Sequence, residues 1–211
     1  NEIISQYKEI ARLAGLELKS LEAEAFALAR AVNYNGNKPI CVIDIGARTT
    51  NINILENGVL KISHTFNVAG NDLTENLRQS LKIDYEQAEE LKKEIGLANS
   101  DNSKRSVHDI LYPLANLIFV ETNKLCQNFY YTSNKKIEKF FLAGGSSLLP
   151  GLKDYFLKES ELDVDIINPF FDISYPPLLE EALKEMRPSY AVAVGLAKKD
   201  FIKNNKKLKS N

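Results

Sequence analysis

The segment Ile40-Cys41-Val42-Ile43-Asp44-Ile45 constrains this chain more than any other: five apolar residues surround a single acid, and Gly46 follows directly. An apolar run of this length without alternation predicts a strand buried on both faces. An aspartate at the end of such a strand is costly to bury unless something partners it. Beyond it, Gly46-Ala47-Arg48-Thr49 predicts a turn, and Asn51 to Leu55 alternates as a second strand. Asn57-Gly58 is a strong hairpin signal, and Val59 to Phe66 predicts the returning strand. Residues 40–68 therefore read as a three-stranded meander.

The flanks are mostly helical. Ile3, Ile4, Tyr7, Ile10, Ala11 and Ala14 follow a helical period, predicting an amphipathic helix from Asn1 to Leu16 with Gly15 placed to end it. Leu18 to Glu22 suits a short extended stretch, Glu24 to Val32 an Ala-rich helix, and Asn33 to Pro39 a polar turn region. After the meander, helices are predicted over Asp72 to Leu81, with Asn71 or Asp72 as N-cap, and over Tyr85 to Ile95, with Gly96 closing it. Asn99 to Ser103 is a polar break. A long helix follows from Val107 to Tyr130, and Pro113 near its start puts the first turn at about Tyr112. Lys139 to Ala143 predicts a strand, Leu149 to Lys158 a helix, and Val164 to Ile167 a strand. Residues 170–186 are irregular and then helical, and Ser189 to Lys199 predicts a small-residue helix. This order gives an α/β layer fold with a mixed sheet, the element order of a ribonuclease-H-like half-domain.

Two turns carry chemistry. At the first, Asp44 can hold a hydrated divalent cation, while Gly46 and the hydroxyls of Thr49 and Thr50 suit a phosphate; a hairpin with a capping aspartate would look the same. At the second, Phe140-Phe141-Leu142-Ala143 runs into Gly144-Gly145-Ser146-Ser147 and a helix start. Paired glycines permit positive φ and close backbone approach, and a helix start offers free N–H groups; the site would suit a flat or anionic group, or be a plain structural corner. No Gly-x-x-x-x-Gly-Lys-[Ser/Thr] loop and no Gly-x-Gly-x-x-Gly loop is present, which argues against P-loop and Rossmann phosphate binding.

Composition removes other classes. Of the 211 residues, 44% are hydrophobic and 26% charged, ordinary for a chain that buries a core. A formal net charge of −1 and the absence of a basic stripe argue against a nucleic-acid partner. Only the end of the chain, from Lys198 to Lys209, is locally basic, and it reads as a solvated tail. Cys41 and Cys126 sit in apolar runs and predict free, buried thiols in a reducing compartment. His64 and His108 form no metal constellation with each other or with the cysteines. No apolar stretch reaches the roughly 18 residues of a membrane span.

Taken together, the two turns resemble the actin, sugar kinase and heat-shock chaperone superfamily. The Asp44 segment is similar to its second phosphate loop and the Gly144 segment to its adenosine loop. Between them, Gly70-Asn71-Asp72-Leu73-Thr74 and Tyr85-Glu86-Gln87-Ala88-Glu89-Glu90-Leu91-Lys92 resemble the corresponding segment of bacterial actin-like proteins. Within the superfamily, four features resemble the type IV pilus assembly family PilM: the stretch from Leu16 through Leu21 to Leu28, Leu149-Pro150-Gly151-Leu152, Asn168-Pro169-Phe170, and Ala191-Val192-Ala193-Val194-Gly195-Leu196-Ala197. The resemblance runs to about Lys199. It implies an actin-like ATPase domain with a helical subdomain insertion at about 70–110. Residues 1–39 would be a remnant of a preceding actin-like domain, 40–199 the second such domain, and 200–211 a basic tail.

The resemblance also implies ligands and partners. ATP and Mg would be the cofactors, with Asp44 holding the metal through water. Gly46, Ala47, Arg48, Thr49, Thr50 and Gly70 would lie on the phosphate side, and Gly144, Gly145 and Ser146 on the adenosine side. Arg48 stands where the family more often has a small or hydroxylic residue, and it either adds a phosphate contact or points to solvent. Glu89 and Lys92, one turn apart on a helix, would hold ribose and adenine, or form a solvated surface ion pair. Glu24 is the candidate catalytic acid, or a helix-surface charge. By the resemblance, the family's first phosphate loop is expected before residue 1, and Asn1 is not a natural initiator. The chain is therefore expected to be a fragment that binds ATP weakly and turns it over little. The implied role is a cytoplasmic scaffold peripheral to the inner membrane, gripping the cytoplasmic segment of a PilN-like membrane protein and linking it to pilus motor components, with possible self-association. An FtsA-like cell-division protein and an active ATPase or phosphotransferase are the alternatives. Phe201, Ile202 and Leu208 are too few to make the membrane-binding helix of an FtsA-like protein, so direct membrane insertion is not expected.

Overall fold

The computed structural model describes residues 2–98 and 105–208. The expected meander is present as β1 (Ile40–Ile45), β2 (Thr50–Glu56) and β3 (Val59–Phe66). Asn57 and Gly58 both take positive φ, 52° and 71°, which gives the hairpin the twist its strands need. β4 (Lys139–Ala143) and β5 (Asp163–Ile166) complete a five-stranded sheet in the order β3-β2-β1-β4-β5. β1 pairs antiparallel with β2 but parallel with β4, and β4 pairs parallel with β5, so the sheet is mixed.

Helices cover both faces, which explains the uninterrupted apolar run in β1. Cys41, Ile43 and Ile45 face one way, with Phe140 and Leu142 of β4 beside them. They pack under α3 (Gly70–Leu81), α4 (Tyr85–Glu94), α5 (Arg105–Ser133) and α6 (Leu152–Ser160), through Leu73, Leu77, Leu111, Ile118 and Phe156. Ile40 and Val42 face the other way with Phe141 and Ala143, against Leu28 and Ala31 of α2 (Glu24–Ala31) and Ala191 of α8 (Ala191–Leu208). Asp44 belongs by alternation to this second face. α1 (Glu2–Leu13) buries no residue, and its apolar stripe is open: Ile3, Tyr7 and Ile10 are 69%, 53% and 60% exposed. α7 (Glu180–Met186) follows β5 after an irregular stretch. Among the described residues no helix is long and apolar enough to cross a membrane.

Four local expectations change. Pro113 lies inside α5, not in its first turn, because the helix begins at Arg105; Pro113 is exposed, so the hydrogen bond it removes opens to water. Ala69, not Asn71 or Asp72, is the N-cap of α3; Asp72 is its third residue, and its Oδ2 accepts from the Ala69 N–H at 2.8 Å. After β4 the chain makes a short 3-10 turn at Gly145–Leu148 before α6 starts at Leu152. α8 continues to Leu208, so residues 200–208 extend that helix. The polar break expected at 99–103 and the last residues of the expected tail fall outside the described residues.

Candidate functional site

Because β1 and β4 are parallel neighbours, with Asp44 beside Ala143, their following turns emerge at the same end of the sheet. Ligands in open α/β sheets gather at such carboxyl ends. The two turns are joined to each other and to α3. The Gly46 carbonyl accepts from the Gly70 N–H at 2.9 Å and from the Ser146 hydroxyl at 3.4 Å, and the Ala47 carbonyl accepts from the Asn71 N–H at 2.8 Å. A β-carbon at Gly70 would collide with the Ser146 hydroxyl and press on the Gly46 carbonyl at 3.1 Å, so this crossing favours glycine.

Between the turns, α3, α4 and the end of α7 lies a cavity of about 770 Å³, within the range of small-molecule sites. Of the residues singled out from sequence, Gly46, Ala47, Gly70, Glu89, Lys92, Gly145 and Ser146 line it. The others lie around it. Arg48 is exposed, and the Thr49 carbonyl accepts from the Gly46 N–H at 3.1 Å. Thr50 is fully buried, with its hydroxyl donating to the Val68 carbonyl at 2.7 Å. Gly144, not Gly145, takes the positive φ, at 79°, and its N–H donates to the Pro188 carbonyl at 2.9 Å.

That last bond draws in residues that sequence reasoning missed. Glu185 and Ser189 line the cavity beside Gly145, as do Asn71, Lys93, Leu148 and Leu149. Asn71, Leu148 and Leu149 belong to the segments already singled out, though not as ligand-binding positions, and Lys93 adjoins one of them. Glu185 and Ser189 carry no local signal; in the fold the Gly144–Pro188 hydrogen bond lies beside them in the chain.

Asp44 sits deep at the sheet end. Burial, and then the negative charge of Glu24, push its carboxyl up to about 6. Glu24 itself is exposed at the start of α2. A buried carboxylate with a second carboxylate near it attracts a cation. Among the described residues, however, no group of three or more acids, histidines or cysteines could hold a metal. The donor set fits a magnesium ion that keeps most of its water, with Asp44 as the anchoring acid.

On the opposite wall, Glu89 and Lys92 of α4 are not a solvated surface pair. Lys92 is only 6% exposed, and its ammonium donates to Glu89 Oε2 at 2.6 Å, Thr74 Oγ1 at 2.8 Å and the Gly70 carbonyl at 3.1 Å. Burial alone would raise the Glu89 carboxyl, but the hydrogen bonds from Lys92 and Thr74 outweigh it and hold it below its ordinary value.

The sequence model of the family described as type IV pilus assembly protein PilM matches residues 1–201. The chain belongs to the PilM family. A solved PilM–PilN type IV pilus biogenesis complex superimposes on 92% of this chain with a TM-score of 0.79 and 26% identity. The fold is shared more widely: MreB 5 of Spiroplasma citri bound to AMPPNP matches 96% of this chain, with a TM-score of 0.71 and 21% identity. Among curated relatives, the cell division protein FtsA of Buchnera aphidicola is 26% identical over 83% of this chain. This PilM-family chain spans 47% of that FtsA, 56% of the PilM–PilN complex chain and 66% of the MreB chain.

Proposed function

We propose that the cavity is a nucleotide site, taking ATP with Mg, in a scaffold protein of type IV pilus assembly. The observation that carries this is the convergence of both glycine turns and the Glu89 wall on one cavity of about 770 Å³. Gly46, Ala47 and Gly70 would hold the phosphates, Asp44 would hold the metal through water, and Glu89, Gly145 and Ser146 would hold the adenosine. The MreB relative carries AMPPNP in its own structure, which supports this reading. The partner is the cytoplasmic segment of a PilN-like membrane protein, as the PilM–PilN complex suggests by similarity, with the protein held at the cytoplasmic face of the inner membrane and connected to motor components. Nucleotide then acts mainly as a conformational ligand.

The test is titration of the full chain with a fluorescent ATP analogue, with and without Mg. Saturable binding that unlabelled ATP displaces, and that Mg strengthens, is expected. No displaceable binding at millimolar nucleotide sinks the nucleotide reading. A PilN-like cytoplasmic peptide that fails to associate, with or without nucleotide, sinks the scaffold reading.

A further inference from the structure

Cys41 and Cys126 are free thiols from distant parts of the chain, one on β1 and the other on α5, and the fold brings them to the same core. Cys41 is fully buried on the face of the sheet that α5 covers, and its neighbour across the ladder is Phe140 of β4. Phe140 is also a wall of a second cavity, of about 430 Å³, between the end of α5, α6 and β4, and Cys126 lines that same cavity. The cavity opens to solvent beside Tyr131, which lines it and is 79% exposed. Cys126 is partly exposed and packs against the core cluster that contains Cys41. The two thiols act on each other directly: burial first, and then Cys126, push the Cys41 thiol well above its ordinary value. A thiol buried and held in its protonated form is inert toward reagents in water. Solvent-borne reagents therefore reach Cys126 through the cavity, and Cys41 is reached only from Cys126.

We propose that Cys126 and Cys41 form a reversibly oxidised dithiol site whose oxidant is a hydroperoxide. In the first step Cys126 Sγ attacks one oxygen of hydrogen peroxide. The O–O bond breaks, and the departing hydroxide takes the thiol proton, leaving Cys126 sulfenic acid and water. In the second step Cys41 Sγ attacks the sulfenic sulfur. An S–S bond forms, the S–O bond breaks, and the leaving hydroxide takes the Cys41 proton and departs as a second water. The two sulfurs lose two electrons in all, and the peroxide gains them. Passing the proton straight to the leaving hydroxide spares the apolar core a free thiolate. The order of the steps follows from access: Cys126 faces the cavity, Cys41 is sealed behind it, and no third cysteine competes. The bond joins α5 to β1, the strand that carries Asp44. A small thiol in solution reverses it by exchange, as is usual for the transient disulfides of reducing compartments.

The experiment treats the folded full chain with a small excess of hydrogen peroxide and alkylates the remaining thiols before unfolding. Thiol titration, intact mass and peptide mapping without reduction are the readings. Wild type is expected to lose both free thiols and the mass of two hydrogens, to yield one peptide pair joined through Cys41 and Cys126, and to form no link between chains. Dithiothreitol should restore both thiols. Cys126→Ser should keep its Cys41 thiol through the same treatment, because peroxide has no other route to it. Cys41→Ala should stop at the sulfenic acid of Cys126, which dimedone traps. Should Cys41→Ala fail to fold by circular dichroism, the wild-type peptide map decides alone. The proposal falls if both wild-type thiols survive, if Cys126 gains oxygen without joining Cys41, or if the disulfide links two chains. It falls equally if the folded Cys126→Ser chain loses its Cys41 thiol as fast as wild type does, since Cys41 would then be open to solvent in its own right.

Discussion

A β-carbon placed on Gly144 would come within 2.6 Å of Asp44 Oδ1 and would collide with the Ile45 carbonyl. The acid of the first turn and the first glycine of the second thus lie side by side, with no room between them for a side chain. Gly144 also has φ 79° and ψ 163°, a region that side-chain-bearing residues scarcely occupy. Its neighbour differs: a β-carbon at Gly145 would meet only the Ser189 hydroxyl, at an ordinary 3.4 Å.

The two glycines should therefore separate stability from binding. Gly144→Ala should cost about 3 kcal/mol or more from backbone strain and overpacking. Gly145→Val should change stability by less than about 1 kcal/mol and weaken the ATP analogue strongly, because its side chain would project into the cavity. Thermal melts followed by circular dichroism and analogue titrations check both. A Gly145→Val chain that binds as wild type does would reduce the second turn to a structural corner.

Asp44 gives the fold a specific pH dependence. Its folded-state value, about 6, lies above the ordinary 3.8, so the folded chain holds this proton more tightly than the unfolded chain does. The benefit is complete below about 3.8 and is lost as pH rises through 6; above that, ionised Asp44 costs the metal-free fold roughly 3 kcal/mol. Asp44→Asn should accordingly melt higher than wild type at pH 7.5 in EDTA, and the gap should close by pH 4. Glu24→Gln should move the window to lower pH, since Glu24 contributes to the shift. A wild-type-to-Asn gap that is the same at both pH values would contradict this account.

How far the sequence could be read is clearest at these same residues. The strands of Ile40 and Phe140 were legible because a strand covered on both faces must be apolar throughout, and the hairpin because Asn57-Gly58 suits positive φ. Gly144-Gly145 signalled a special turn but not which glycine was strained, because that depends on how β4 lies beside the Asp44 carboxylate. Thr50 showed its hydroxyl but not its commitment to Val68, a bond between segments 18 residues apart. The three-residue spacing of Glu89 and Lys92 put them on one helix face, yet only the packing of α3 over α4 buries the lysine. Pro113 was misread for a different reason: helix interiors disfavour proline, but an exposed position tolerates the missing bond.

Gly70 and Ser146 should behave as a coupled pair. Gly70→Ala drives a β-carbon into the Ser146 hydroxyl and leaves the Gly46 carbonyl at 3.1 Å. The single change should destabilise by about 1–2 kcal/mol. Adding Ser146→Ala should recover around half of that, because the hydroxyl is the nearest obstacle. Urea titrations of the two single variants and the double variant measure the coupling, and strict additivity would show that the crossing accommodates the methyl by another route.

On the far face of the sheet, α2 and α8 meet where Gly195 leaves no room for a side chain: a β-carbon there would collide with the Ala27 carbonyl. The Gly195 carbonyl also accepts from Arg30 Nε at 2.9 Å, and Arg30 pairs with Glu22, which pairs in turn with Lys199 at 2.7 Å. Gly195→Ala must push the helices apart and stretch this network, because the obstacle is backbone rather than a movable side chain. The loss of packing and of the Arg30 bond should total about 2–4 kcal/mol, with the gain in helix propensity offsetting under 1 kcal/mol. Arg30→Met should cost less, because it removes the bond without moving the helices. Neither residue lines the cavity, so at 15 °C, well below the melting transition, both variants should bind the ATP analogue within about threefold of wild type. Denaturant unfolding and analogue titration at that temperature provide the two readings. If Gly195→Ala remains as stable as wild type, the helices can slide, and the α2–α8 seam is adjustable rather than fixed. If it remains stable but loses nucleotide affinity, the seam is coupled to Asp44 through Glu24 at the head of α2, and the two faces of the sheet are linked in a way that packing alone does not require.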